Sequence, residues 1–353
     1  METFIVEALR TPRGMAKETG SLAGVKPVSL LAQTLEALRE RTGFAPARLC
    51  DLVIGCATQV GDQGANIGKT AALYAGWDAA VPAMTINRFC ASGLSAVNYA
   101  AAQAGAVDGL AVAGGVEMMS RVPMFADKGA FFADPEVVQR TAFVHPGLGA
   151  DLVATQHDIS REDCDAYAVM SQTRAAQASN EGRFKRSLVP VRDAQGKVVL
   201  DRDETFRADT TLEKLASREP AFADMGAKGG DAQLLKLFPD LKAIRHVHHV
   251  GNSPGMADGA AAVLLGSGSA IAAAGLRPRA RIAGFAEACT AVTQTGAVEA
   301  TRTALARAGK RVEDMDLFEV RDSFAAVTLH YVRALGIAFD RFNVNGSSIA
   351  LGH

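Results

Sequence analysis

Apolar and polar positions alternate between two rhythms along this chain. "ETFIVEALR", "DLVIGCATQV" and "LAVAGGVEMM" are short apolar runs bounded by turn residues, and they predict buried strands. "VSLLAQTLEALRERTG" instead spaces its apolar residues at helical intervals and stops at Gly43, which predicts an amphipathic helix. "MTINRFC" predicts a strand edge feeding "SGLSAVNYAAAQAG", a helix of small residues. Strand, helix and strand in this order predict parallel α/β layers.

The pattern recurs weakly. Residues 34–55 line up with residues 301–320 when two positions are skipped. In each, a helix containing Thr-x-x-Ala-Leu leads through Asp-Leu into a strand, and "TINRFCASG" after the first faces "NVNGSSIALG" after the second. A duplicated α/β half is the simplest explanation. Between the halves the rhythm changes, with "SRVPMFADKGAFFADPEVV", a helical "SREDCDAYAVMSQTRAAQASNEGRF" and a polar "VRDAQGKVVLDRDETFRAD". An insertion of this size more often covers a substrate than merely links. The expected partition is an N-terminal half over 1–117, an inserted domain over 118–245 and a C-terminal half over 246–353.

Composition narrows the function classes. The chain has 353 residues, enough for two packed halves, and its 37 basic residues balance 38 acidic ones. No basic stripe marks a nucleic-acid surface. No apolar stretch of about 18 residues predicts a membrane span. "METFIVEALRTP" lacks the apolar core of a signal peptide. Five scattered cysteines without a CxxC argue against a disulfide framework or structural zinc, and for a reducing, cytoplasmic setting.

Three stretches invite chemistry. "GDQGANIGKT" resembles a phosphate-binding loop, but Gly64 and Gly68 enclose three residues where four are needed to curl backbone N–H groups round a phosphate. A helix start is expected there. "HVHH" (246–249) has no acidic or thiol partner at a metal-ligand spacing and is expected as a polar strand. "NRFCASGLSA" (87–96) sets Cys90 where a strand meets a helix, among residues small enough for a ligand to approach. A helix N-terminus favours thiolate over thiol. On these residues alone, a buried structural thiol is an equal reading.

The surrounding motifs break that tie. "RTPRG" (10–14), "NRFCASGLSA", "GGVEMMS" (114–120), "GNSPGMADGAA" (251–261) and "NVNGSSIALGH" (343–353) stand in an order that resembles the thiolase family over essentially the whole chain. The resemblance implies two duplicated βαβαβ halves in a five-layered α/β/α/β/α core with an inserted loop domain. It implies that Cys90 is the nucleophile that becomes acylated, and that His353, at the histidine of the Gly-His-Pro motif, activates it and donates to a thioester oxygen. It places His145, Ser253, Ser323 and Phe324 along the pantetheine arm of coenzyme A. Coenzyme A and acyl-CoA are then substrates, with no resident cofactor and no metal. A homodimer or homotetramer is implied, with a β-oxidation subunit as a possible partner.

The chain also departs from the family pattern. "RDSFA" stands for Asn-Glu-Ala-Phe-Ala, so Arg321 occupies the asparagine position that normally holds an oxyanion-hole water, and Pro254 replaces a common serine. The family continues past the Gly-His motif to a Cys-x-Gly whose cysteine protonates the α-carbon. Cys289 does not stand at that place, and a polypeptide running beyond His353 is expected. The expected function is thiolytic cleavage of 3-ketoacyl-CoA, or the reverse Claisen condensation, through an acyl-cysteine. The alternative is a catalytically impaired relative that binds acyl-CoA or a partner subunit. A ketoacyl synthase, which pairs its cysteine with two histidines, fits the loop motifs less well.

Overall fold

The computed structural model describes residues 2–290, 292 and 295–353. Its contacts group the chain into two compact units, one from residues 1–127, 183–204 and 256–283, the other from 128–182, 205–255 and 284–353.

The first unit is built on a mixed sheet of seven strands. These are β1 (Thr3–Arg10), β2 (Gly14–Met15), β3 (Leu49–Gly55), β4 (Ala83–Ile86), β5 (Leu110–Met118), β8 (Ala257–Ser267) and β9 (Ala280–Arg281). A separate hairpin joins β6 (Val191–Arg192) to β7 (Val198–Leu200). The spatial order is β4-β3-β5-β8-β1-β9, with β2 beside β8. Of the four anticipated strands, β4, β3 and β5 are parallel, whereas β1 pairs antiparallel with β8 and β9. Strand β8 enters between β5 and β1 and pairs antiparallel with both, from Leu110↔Gly266 to Met118↔Asp258 on one side. The sheet is therefore mixed rather than wholly parallel.

Both faces of this sheet are covered, which is why its strands read as continuous apolar runs. Helix α1 (Pro27–Thr42) packs Leu30, Leu31, Leu35 and Leu38 against Leu52, Ile54, Val112 and Leu264. Helix α2 (Ile67–Tyr74), at the rejected phosphate loop, adds Ile67 and Ala71 to the same side. Helix α3 (Ser92–Val107) packs Ala96, Ala100, Ala101 and Ala104 against Val53, Ala111, Ala113 and Leu265 on the other side. The alternation of strand residues between these two clusters follows the two-residue period of the pleat. Helix α1 ends at Gly43 in the left-handed conformation (φ 72°), as its position after the last apolar residue predicts.

The second unit is mostly helical. Its helices include Pro146–Gln156, Arg161–Asn180, Gly296–Arg307 and Ala325–Leu335. Arg161–Asn180 opens with a capping box in which Ser160 and Asp163 satisfy each other's backbone N–H. Tyr167, Leu329, Val332, Phe318 and the fully buried Phe342 form its main core.

Two expected strands are absent from their places among the described residues. "HVHH" is irregular, because its N–H groups go to side chains: Val247 and His248 donate to Asp151 Oδ1, and His249 donates to Asn252 Oδ1. A strand whose donors are captured by carboxylate and amide oxygens has none left for a ladder. The strand expected near residues 316–320 is reduced to one parallel bridge, Phe318↔Phe342. Among the described residues, no helix is long and apolar enough to cross a membrane.

Candidate active site

In the first unit, the cysteine turn is assembled by local hydrogen bonds before α3 begins. Phe89 N–H donates to Asn87 Oδ1 at 2.7 Å, Arg88 N–H to Ser92 Oγ at 2.8 Å, and Ser92 Oγ–H to the Phe89 carbonyl at 2.6 Å. Asn87 Nδ2 ties the turn to the Ala57 carbonyl, and Arg88 Nη1 reaches Ser95 Oγ on α3. Phe89 is held at φ 47°, a left-handed conformation costing a bulky residue roughly 1–3 kcal/mol. The next residue, Cys90, is exposed. Gly55 makes the arrangement possible: a Cβ there would lie 2.4 Å from the Ser92 carbonyl carbon, so only glycine lets β3 meet the start of α3.

The other six candidate residues lie in the second unit. Arg321, Ser323 and His353 come together: Arg321 Nη2 donates to Ser323 Oγ at 2.9 Å, and Arg321 Nη1 lies 3.1 Å from His353 Nδ1. His353 is placed by its own N–H, which donates to the Gly255 carbonyl at 2.7 Å, after Gly352 at φ 86°. Beneath this group, Asp322 accepts from Tyr167 Oη at 2.7 Å and from Thr328, Asn343 and the Ile349 N–H. Burial raises the Asp322 carboxyl above its usual range, against the pull of those donors. Ser253 has a buried hydroxyl oxygen with no hydrogen-bond partner among the described residues.

His145 and Phe324 belong to a ring chain. His145 lies 5.6 Å from Phe222, Phe222 meets Phe324 edge-on at 5.8 Å, and Phe324 meets His248 at 5.4 Å. His145 begins the helix Pro146–Gln156 and accepts from the Gly147 N–H through Nδ1, which leaves its hydrogen on Nε2. Burial pushes His145 below its usual range. A Cβ at Gly147 would sit 2.3 Å from the Phe222 ring and force it to move. His145 also lines a cavity of about 660 Å³ with Phe143, Leu148, Met225, Lys228 and Gln233.

Composition and spacing did not reveal the bracing behind Phe324. His246 bridges Asp151 at 2.8 Å and Asp231 at 3.1 Å, His248 Nδ1 meets Asp151 at 2.7 Å, and His249 Nε2 meets Asp165 at 2.8 Å. The hydrogen bond that His246 donates to Asp151 raises its pKa to about 9. Burial alone would raise Asp151, but bonds from His246 and His248 bring it below the usual carboxylate range. His248 Nε2 accepts from the Ala326 N–H, which anchors the helix that follows Phe324. The acidic partners of "HVHH" were thus remote in sequence rather than missing. Among the described residues, no group of three or more His, Cys, Asp or Glu is arranged to hold a metal ion.

Known proteins share this chain's sequence pattern and fold. Residues 3–232 match the thiolase N-terminal domain and residues 276–353 the thiolase C-terminal domain. A 3-ketoacyl-CoA thiolase of Bacillus subtilis is 37% identical over 369 residues, spanning 100% of this chain and 88% of the relative. A beta-ketoadipyl-CoA thiolase of Pseudomonas aeruginosa is 38% identical over 377 residues, with the same shares. The crystal structure of the Bacillus anthracis acetyl-CoA acetyltransferase matches with a TM-score of 0.84 at 32% identity, covering 100% of this chain and 88% of that one. On sequence and fold together, the chain belongs to the thiolase family.

Proposed function

We propose that this thiolase-type acyltransferase cleaves 3-ketoacyl-CoA thiolytically, with Cys90 as the nucleophile. The observation that carries the reading is the pair of thiolase-domain matches, which take in Cys90 at one end and His353 at the other. Cys90 Sγ attacks the C3 carbonyl, and the C2–C3 bond breaks with its electron pair on the thioester enolate. The enolate takes up a proton, so the hydrogen lost from the thiol is balanced by the one gained in acetyl-CoA. The thiol of coenzyme A then displaces Cys90 from the acyl group. Both acyl carriers are thioesters, so the exchange is nearly even and the sequence also runs backward as a Claisen condensation.

The exposure of Cys90 on a tight turn suits attack on a bulky substrate. His353 supplies a hydrogen-bond donor for the thioester oxygen, the electrostatic term such chemistry needs most. The cavity beside His145, with Phe324 behind it, suits the pantetheine arm, and Ser253 and Ser323 offer hydroxyls along the same path. Coenzyme A enters as substrate, and the reading requires no resident cofactor. Relatives named for 3-ketoacyl-CoA and beta-ketoadipyl-CoA support the degradative direction, and with it a cytoplasmic place in β-oxidation. A homodimer or homotetramer is supported by edge strand β4 and by Phe89, Leu94 and Tyr99, which are exposed around the cysteine turn.

The test is thiolysis of acetoacetyl-CoA and longer 3-ketoacyl-CoAs, followed by the loss of thioester-enolate absorbance. Cys90→Ser is expected to lower the rate by at least about a thousandfold, as loss of a covalent nucleophile does. Activity that survives the substitution overturns the role of Cys90. Acyl-CoA binding without Cys90-dependent turnover favours the impaired relative instead.

A further inference from the structure

Arg321 and Ser323 both depart from the Asn-Glu-Ala-Phe-Ala pattern, and in the folded chain the two departures meet at His353. Arg321 Nη2 donates to Ser323 Oγ at 2.9 Å, Nη1 lies 3.1 Å from His353 Nδ1, and Nη1 also lies 3.3 Å from the Asp322 carbonyl. A guanidinium offers five N–H donors and no lone pair, and it does not deprotonate in proteins. The contact with His353 is therefore a hydrogen bond only if Nδ1 is the unprotonated nitrogen of the ring. An asparagine carries both a donor and an acceptor, so it accommodates either tautomer by turning its amide. Arginine removes that choice.

We propose that Arg321 is a positioning residue that holds His353 as the neutral imidazole with its hydrogen on Nε2, and that Ser323 orients the guanidinium for this task. The loop is rigid enough to do so. Asp322, between the two, is pinned by the buried bonds from Tyr167, Thr328, Asn343 and Ile349. His353 is anchored through its own backbone N–H to Gly255. With Nδ1 engaged, the ring presents an N–H rather than a lone pair on its other side. A hydrogen on Nδ1 would leave that contact with two donors and no acceptor. Of the two roles the family resemblance assigns to His353, the resting protein thus holds it in the donor role; that use, though not the tautomer itself, rests on the thiolase reading.

The tautomer is read directly by long-range proton–nitrogen correlation on the full chain labelled with ¹⁵N-histidine. The chain has seven histidines, and the signal lost in His353→Asn identifies the one concerned. At neutral pH the expected pattern is a pyridine-like Nδ1 and a pyrrole-like Nε2. Arg321→Lys, which keeps a donor-only cation, is expected to retain it. Arg321→Met, similar in length but without a donor, is expected to lose it in favour of the Nδ1–H tautomer or the imidazolium. A wild-type His353 found as Nδ1–H or imidazolium overturns the proposal, as does a Met variant with an unchanged pattern. If the Met variant does not fold, the wild-type and Lys spectra still decide. No turnover enters this measurement, so failure of the proposed thiolysis and failure of the tautomer assignment remain separable.

Discussion

Asp322 stands where the family motif has glutamate, yet its place in the fold was not legible from that correspondence. Its partners Tyr167, Asn343 and Ile349 come from distant segments, the first of them 155 positions away. Asp322→Ala would strand four donors in a buried site, and the cost of unmet buried polar groups sets the expected loss at about 3 kcal/mol or more. A thermal melt checks it: a midpoint unchanged within error contradicts the anchoring role. Phe89 teaches the same lesson at the other candidate site. The motif placed Cys90 at a strand-to-helix turn, but a left-handed φ at phenylalanine runs against its own preference. Asn87, Ser92 and Ser95 hold the turn with side-chain hydrogen bonds that support this conformation.

At the scale of elements, strand β3 and helix α3 depend on one glycine. Gly55→Ala forces the start of α3 away from the sheet, because the new Cβ would meet backbone and not a yielding side chain. The expected cost is about 1–3 kcal/mol of overpacking. Cys90 alkylation by iodoacetamide should slow with it, whereas an unaltered rate would show that the turn does not rely on this contact. The "HVHH" segment carries a pH dependence. His246 is raised from an ordinary 6.5 to about 9, chiefly by Asp151. A raised folded-state value means that its stabilising contribution is complete below about 6.5 and is lost as pH rises through about 9. Thermal midpoints measured from pH 6 to 10 should fall across that window and flatten in His246→Gln; parallel profiles for the two proteins would remove His246 as the cause. Nothing local in "HVHH" marks the segment as irregular. Its carboxylate partners, Asp151, Asp165 and Asp231, lie in other helices.

For the whole molecule, balanced charge leaves assembly to apolar surface and unpaired backbone, not to a charged face. Strand β4 ends the sheet, and Leu94 (67% exposed) lies on the first turn of α3. A sheet edge with exposed apolar neighbours is the kind of surface a second copy covers. Light scattering is expected to give a dimer or tetramer, and Leu94→Asp to shift it toward smaller species; a monomeric wild type ends that proposal. The sequence by itself determined which segments are helix or strand around the first sheet, where α1 stops, and which family the chain belongs to. Those signals are local: periodicity, caps and short motifs act over a few neighbouring residues. Tertiary structure alone decided that β8 enters between β5 and β1, where Thr3 faces Ser267, and that His248, held by the distant Asp151, packs against Phe324. It alone turned Arg321 from an unexplained substitution into the partner of His353. Which ladder a strand joins, and which lone pair a donor finds, depends on chain segments brought together from afar, and no local propensity encodes that meeting.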